Sequence, residues 1–116
     1  MEGAAGATLT VDATDATFDD AVLASELPVM VEFTAPWCKP CRAIEPFLEE
    51  LARAHEGRLA VVRIDVDANL GVPSRYGVLS LPTVMLFAGG SPVETIHGAQ
   101  PRRRYAEAVA RVVDAS

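Results

Sequence analysis

The sequence predicts a single α/β domain in which strands and helices alternate. An apolar, β-branched run over residues 28–34 has the composition of a buried strand. It is followed by apolar residues spaced three and four apart over residues 38–55, a pattern typical of a long helix. The chain then closes with two short apolar runs separated by Gly89-Gly90-Ser91, which predicts a hairpin, and with a final helical pattern.

The first half of the chain supplies a short strand, a short helix and the long helix. Residues 8–11 form the strand candidate, and Thr14 or Asp15 can cap a helix that turns Phe18, Val22 and Leu23 toward the core. Pro46 lies inside the long helix, where we expect a kink rather than an end. The apolar face of the long helix comprises Ile44, Phe47, Leu48, Leu51 and Ala52. Its outward face comprises Glu45, Glu49, Glu50 and Arg53.

The second half of the chain repeats the alternation. Residues 59–66 read as a strand, residues 68–75 as a short helix or turn, and residues 83–87 and 92–97 as the two strands of the hairpin. Pro101 can open the last helix, because proline is favoured at a helix start. The predicted buried face of that helix comprises Tyr105, Val109, Val112 and Val113.

Composition bounds the class of protein. The chain has 116 residues, of which 50% are hydrophobic, so one domain with a sizeable core is expected. The formal net charge of -6 argues against nucleic acid or an anionic membrane as partner. The run Arg102-Arg103-Arg104 reads as a solvated helix face. No apolar stretch approaches the length of a membrane span.

The N-terminal segment carries an acidic residue, Glu2, where a signal peptide needs basic ones, and it has no apolar central region. We therefore expect residues 1–7 to form a flexible extension of the domain and the protein to be cytoplasmic. A closely spaced cysteine pair in that compartment is more often catalytic than structural.

The two cysteines, Cys38 and Cys41, are separated by two residues, and the chain has no other. This spacing allows one thiol to attack a disulfide while the second waits within reach. The predicted helix start, with Lys39 and Arg42 nearby, stabilises a thiolate at Cys38. A structural zinc site would need four ligands, and His55 and His97 are too far apart in the sequence to complete one. The pair is therefore predicted to be a redox site without a metal.

The motif Trp37-Cys38-Lys39-Pro40-Cys41, together with Leu81-Pro82-Thr83 before a strand and Gly98-Ala99 after the next, resembles the thioredoxin family over residues 9–113. The resemblance implies a thioredoxin fold, a mixed sheet of four or five strands flanked by helices. It also implies a dithiol that reduces disulfide-containing target proteins, a monomer, and thioredoxin reductase as electron donor. No nucleotide or flavin fingerprint is present, so no bound cofactor is expected.

The resemblance also assigns roles to residues. Cys38 would be the nucleophile and Cys41 the more buried resolving thiol. Glu32 stands where the family usually has an aspartate, and it would exchange a proton with Cys41. Strand periodicity by itself slightly favours a solvated position for Glu32, and an X-Pro bond is usually trans. The family instead implies a buried Glu32 and a cis Pro82. The implied substrate-binding residues are Trp37, Lys39, Pro40, Leu81, Pro82 and Gly98.

Two positions depart from the family pattern: Lys39 replaces the usual glycine, and Thr34 replaces a common aromatic residue. A cation beside the nucleophile should make the dithiol more oxidising. A more oxidising oxidoreductase or isomerase therefore stays open as an alternative function. A binding or chaperone-like module of the same fold, with an incidental dithiol, is the other.

Overall fold

The structure, a computed structural model, describes residues 9–115. Within them, five strands form one mixed sheet in the order β1-β3-β2-β4-β5. β1, β3 and β2 run parallel, whereas β4 is antiparallel to both β2 and β5. The strands are β1 (Thr10–Ala13), β2 (Val29–Thr34), β3 (Ala60–Asp65), β4 (Thr83–Ala88) and β5 (Ser91–His97). The mixed five-stranded sheet confirms the predicted fold class. The extension predicted for residues 1–7 lies outside the described residues.

Helices cover both faces of this sheet. α1 (Lys39–Ala54) and α3 (Arg102–Asp114) pack on one face, whereas a π-helical turn (Asp19–Leu23) and the short helix α2 (Gly71–Arg75) lie toward the other. The central strand β2 is buried along its whole length, which explains why four of its six residues are apolar. Among the described residues, none of the helices combines the length and the apolar character needed to cross a membrane.

The long helix α1 follows the predicted pattern closely. Cys38 is its N-cap, and Pro46 lies in its interior without ending it. Most residues of the predicted apolar face of this helix are buried, and Phe47 is half-buried against the same core. The outward assignment was wrong for Glu45 and Glu49. Both are only partly exposed, because they face the edge of the sheet.

The first strand lies two residues later than predicted. Its parallel register with β3 joins Thr10 to Val61 and extends as far as Ala13 and Ile64. The predicted strand ended at residue 11, just before Asp12, and aspartate is a residue type that is depleted in strands. Backbone pairing at the sheet edge leaves the Asp12 side chain exposed, and its Oδ1 lies 3.5 Å from Arg63 Nε.

The predicted helix cap was half right. The Thr14 hydroxyl accepts a hydrogen bond from the backbone N–H of Thr17, so Thr14 does cap the local turn. Asp15 instead reaches a different helix. Its carboxylate accepts 2.9 Å hydrogen bonds from the N–H groups of Gly71 and Val72 at the start of α2. Only the tertiary fold brings these segments, more than fifty residues apart in sequence, together.

Replacing Asp15 with alanine is expected to lower the free energy of unfolding, because two α2 amides then lose their carboxylate partner. Those hydrogen bonds, first from Val72 and then from Gly71, lower the pKa of Asp15. Its contribution is therefore present above the usual pKa of an aspartate and is lost as the pH falls through the lowered value. Denaturant melts at neutral and acid pH measure this. A stability difference between wild type and Asp15→Ala that persisted unchanged in strong acid would contradict it.

Two arginines of the run at the start of α3, Arg102 and Arg104, form ion pairs with carboxylates of neighbouring elements. Arg102 Nε lies 2.7 Å from Glu50 Oε1 on α1. Arg104 and Arg111 both contact Glu94 Oε2 on β5, at 2.8 and 2.7 Å. These ion pairs give three of the α3 arginines intramolecular partners.

Candidate active site

The two cysteines lie where β2 passes into α1, and they form a disulfide with a Cα–Cα distance of 5.3 Å. Cys38 has extended backbone geometry and caps α1, and its Sγ accepts a 3.2 Å hydrogen bond from the backbone N–H of Cys41. A sulfur in this position faces the unpaired amides and the positive end of the helix dipole. After reduction, the same amides can stabilise a Cys38 thiolate.

The disulfide is almost completely covered. Cys38 is 2% exposed and Cys41 is 0% exposed, so the predicted order of burial is present but the difference is small. The sulfur pair packs against Ala35 and against the half-buried side chains of Val66 and Leu81. In this oxidised state, Cys38 is the residue of the pair that keeps some exposure.

The cations predicted near the nucleophile differ in position. Lys39 is exposed at the first residue of α1. The Nη1 group of Arg42 donates a 2.6 Å hydrogen bond to the carbonyl oxygen of Pro36. Arg42 therefore holds the loop that leads into Cys38, whereas Lys39 lies exposed at the helix start, where its charge can act on the sulfur.

The loop before β4 lies against the dithiol. The Leu81–Pro82 peptide bond is cis, as the resemblance implied, and Leu81 contacts the cysteine cluster. The carbonyl oxygen of Pro82 accepts a 2.8 Å hydrogen bond from the N–H of Gly98, where the backbone φ is +75°. Three of the predicted binding residues, Leu81, Pro82 and Gly98, therefore lie together on this side of the dithiol.

The other three predicted binding residues lie in the motif itself. Trp37 is 66% exposed, and its Nε1 donates a 2.8 Å hydrogen bond to Asp67 Oδ2, which fixes the orientation of the ring. Lys39 and Pro40 are exposed beside it. An exposed, oriented indole next to a reactive sulfur offers an apolar surface to an incoming chain.

Glu32 lies in the middle of β2 and is 1% exposed, which rules out the solvated position. Its strand neighbours are Arg63 on β3 and Val84 on β4. The carboxyl group is hydrogen-bonded to that of Glu45 on α1. Among the described residues, its buried Oε2 atom has no hydrogen-bond partner. The carboxyl group is therefore held under α1 with one oxygen unsatisfied.

Burial raises the pKa of Glu32 to about 8, because the charged form loses its hydration. The nearby charge of Glu45 and the hydrogen bond between the two carboxyl groups raise this pKa further, whereas the charge of Arg63 lowers it. Arg63 Nη1 in turn lies 3.7 Å from Glu45 Oε1. Glu32 is thus largely protonated at neutral pH and becomes a base in the mildly alkaline range.

Comparison with known proteins decides the family. A sequence model of the thioredoxin family matches residues 9–111. The chain belongs to the thioredoxin family. It is accordingly a thiol–disulfide oxidoreductase whose redox pair is Cys38 and Cys41.

Curated relatives of the thioredoxin family support the same assignment. Thioredoxin 1 of Nostoc sp. is 47% identical over 89 residues, which span 77% of this chain and 83% of the relative. Thioredoxin of Synechocystis sp. is 45% identical over 93 residues, or 80% of this chain and 87% of the relative. A bifunctional thioredoxin reductase/thioredoxin of Mycobacterium leprae is 44% identical over 100 residues, or 86% of this chain and 22% of that longer protein.

The thioredoxin-family motif did not identify every residue at the site. Sequence reasoning missed Glu45 and Arg63, which contact or flank Glu32, and Asp67, which holds Trp37. One signal was available for Glu45: it lies four residues after Cys41, so the helical repeat places both on one face of α1. No comparable local signal exists for Arg63, because its position depends on strand pairing.

Proposed function

We propose that this protein reduces disulfides in target proteins, with Cys38 as nucleophile, Cys41 as resolving thiol and Glu32 as the proton acceptor. The observation that carries this proposal is the Cys38 sulfur at the N-cap of α1, joined to a buried Cys41, in a fold whose central strand also buries the carboxyl group of Glu32. Membership of a protein-disulfide oxidoreductase family supports the reaction class.

In the first step, the Cys38 thiolate attacks one sulfur of the target disulfide and forms a mixed disulfide. The other target sulfur leaves as a thiolate and takes a proton from water. The N–H of Cys41, which points at Cys38 Sγ, and the other free amides at the start of α1 stabilise the attacking thiolate.

In the second step, Cys41 gives its proton to the ionised form of Glu32 and attacks the sulfur of Cys38 as a thiolate. The bond between Cys38 and the target breaks, the internal disulfide forms, and the target leaves with both electrons and is reduced. Since Cys41 is fully buried, water cannot readily take its proton, so a base inside the protein is needed.

The target chain would dock beside the dithiol in an extended conformation. The surface available to it comprises Trp37, Lys39, Pro40, Leu81, Pro82 and Gly98, and the 97% exposed side chain of Leu79 lies in the same loop as Leu81. Apart from Lys39, the polar groups of this surface are those of the backbone around the cis bond, so recognition would depend mainly on shape and apolar contact.

The electrons would come from a separate thioredoxin reductase, since the oxidised pair must be reset after each turnover. The fusion of the two activities in the named Mycobacterium leprae relative supports a partner of this kind. We further propose that the protein acts as a monomer in the cytoplasm, where thiols are kept reduced. Size-exclusion chromatography and fractionation of the native host test these two points.

The decisive experiment for the function is the reduction potential of the Cys38–Cys41 pair, measured by equilibration with glutathione buffers. A reductase requires a value near that of reductive dithiol proteins, about -270 mV. A value near -120 mV, which is typical of a strong oxidant, would contradict the proposal. A turnover assay with a disulfide-bonded protein and a thioredoxin reductase then checks the direction of electron flow.

A more oxidising dithiol is the second candidate function, and the exposed Lys39 is the observation that favours it. A cation at the helix start stabilises the reduced, thiolate form and so raises the reduction potential.

Replacing Lys39 with glycine is expected to move the thiolate titration of Cys38 to higher pH by less than about one unit. It should also make the pair more reducing. Ultraviolet thiolate absorbance of the reduced protein at low and high salt measures the effect, which salt should weaken. Lys39→Arg, which keeps the charge, is the matched control. Equal titrations for Lys39→Gly and wild type at low ionic strength would exclude this electrostatic role.

A further inference from the structure

The carboxyl groups of Glu32 and Glu45 form a hydrogen-bonded pair between β2 and α1. Both side chains line a cleft of about 460 Å³ at the edge of the sheet, together with Arg42 and Arg63. Glu45 and Arg63 also line a second, neighbouring cleft of about 520 Å³. Glu45 therefore lies between the buried carboxyl and open solvent.

A hydrogen bond between two carboxyl groups requires a proton on one of them. The 1% exposed Glu32 is the group that loses most by ionising, so the proton resides there. The Glu45 side chain is 29% exposed, and its Oε1 lies 3.7 Å from Arg63 Nη1, so Glu45 is the acceptor of the pair. The pair is therefore asymmetric, with a buried donor and a partly solvated acceptor.

The pair also lies on the side of the sheet that α1 covers. Cys41 and Glu45 are one helical turn apart on α1, and Met30, which lies on the same side of β2 as Glu32, packs with Ile44 and Leu48 of that helix. An interaction that holds the Glu32 proton therefore acts on the group to which Cys41 must transfer its own proton.

The charged and titratable groups around Glu32 come from four elements. Arg63 on β3 favours ionisation of Glu32 and is shared with Asp12 on β1. Tyr105 on α3 interacts electrostatically with Glu32 and has a raised pKa, mainly because it is buried. The remaining groups are Arg42, Glu45 and Glu49 of α1, which line the same cleft, and the Cys38–Cys41 pair lies at the start of that helix.

We propose that Glu45 is a positioning residue for the dithiol reaction, which holds the proton on Glu32 and so sets the pH above which Glu32 can accept the Cys41 proton. This inference rests on the proposed role of Glu32. In resolution, the Cys41 proton passes to ionised Glu32, the Cys41 sulfur forms the new bond to Cys38, and the target thiolate leaves with the electron pair. Glu45 takes no part in bond making and acts only on the protonation of Glu32.

The test is the variant Glu45→Gln, examined by two independent measurements. Infrared difference spectra of the oxidised protein follow the protonated carboxyl of Glu32 as a function of pH. Rapid mixing of the reduced protein with an aromatic disulfide releases one coloured thiolate on attack by Cys38 and a second on resolution by Cys41. The pH dependence of the second release shows the pH at which the group that accepts the Cys41 proton becomes ionised.

In Glu45→Gln, the pH at which the Glu32 carboxyl band disappears is expected to fall by roughly one unit, and the midpoint of the resolution profile should fall with it. The reason is that a like charge is lost and that the new amide can donate a hydrogen bond to ionised Glu32. Glu49→Gln is the matched control, since it makes the same charge change on the same helix and the same cleft and should leave both midpoints in place. Arg63→Gln should move them in the opposite direction, because Arg63 favours the ionised form.

Unchanged midpoints in a folded Glu45→Gln, or an equal shift in Glu49→Gln, would overturn the inference. Failure of the proposed function gives a different result. If the infrared band shifts as expected but resolution is insensitive to both Glu45→Gln and Glu32→Gln, the carboxyl pair exists and Glu32 is not the base.

Discussion

Replacing Cys38 with serine is expected to abolish disulfide reduction, because the hydroxyl that replaces the N-cap sulfur cannot ionise or attack a disulfide at neutral pH. The loss should be complete within the limits of a turnover assay with a thioredoxin reductase and a disulfide-bonded protein. Cys41→Ser should behave differently. It keeps the nucleophile and removes the resolving thiol, so it should accumulate a mixed disulfide through Cys38.

Mass spectrometry of the trapped adducts distinguishes these roles. An adduct on Cys41 in the Cys38→Ser variant, and none on Cys38 in the Cys41→Ser variant, would reverse the assignment. The double serine variant tests the binding-module alternative, because it keeps the surface around Trp37 and lacks both thiols. Full partner activity in the double variant would show that the dithiol is incidental.

Replacing Glu32 with glutamine is expected to slow resolution of the mixed disulfide far more than its formation. Only resolution requires a proton to leave the buried Cys41, so only that step needs the base. A loss of about 10²-fold or more in the resolution rate is the size expected for removal of a general base. Rapid mixing with the aromatic disulfide described above separates the steps, and Glu50→Gln, the same substitution at an exposed position of α1, is the control. Equal slowing of both steps would remove Glu32 from the proton transfer.

The same variant should be more stable than the wild type at neutral pH. Folding raises the pKa of Glu32 from 4.5 to about 8. Below pH 4.5 the carboxyl is protonated in both folded and unfolded chains, and it contributes no pH dependence. Between the two values the unfolded chain binds fewer protons, so stability falls as the pH rises, and it levels off above the folded value.

Glutamine at position 32 cannot ionise, and so the variant lacks this fall of stability with rising pH. The free energies of unfolding of wild type and Glu32→Gln should be similar near pH 4 and should diverge by several kcal/mol toward pH 8, since each pKa unit corresponds to about 1.4 kcal/mol. Denaturant melts across this range measure the difference. Parallel curves for the two proteins would show that Glu32 ionises normally in the folded state.

Much of the fold could be predicted from local patterns. The strands at 29–34, 60–65 and 83–88 and the helices at 39–54 and 102–114 follow directly from apolar spacing, and the hairpin follows from Gly89-Gly90 with φ values of +61° and +84°. The errors occurred where residues distant in sequence decide the end of a strand or the partner of a capping side chain. β1 was placed two residues early because its end depends on pairing with β3, and Asp15 caps α2 rather than the segment that follows it.

The sequence by itself determined the chemistry of this protein, because the sulfur spacing, the helix start at Cys38 and the flanking Trp37 and Pro40 are all local features. Only the tertiary structure decided the environment of the Glu32 carboxyl group. β2, β3 and α1 must meet before Glu32 is buried, is hydrogen-bonded to Glu45 and has Arg63 as its neighbour. Strand periodicity had slightly favoured a solvent-exposed position for Glu32 instead. A proton affinity depends on solvation and on charges across space, and neither is encoded in the order of neighbouring residues.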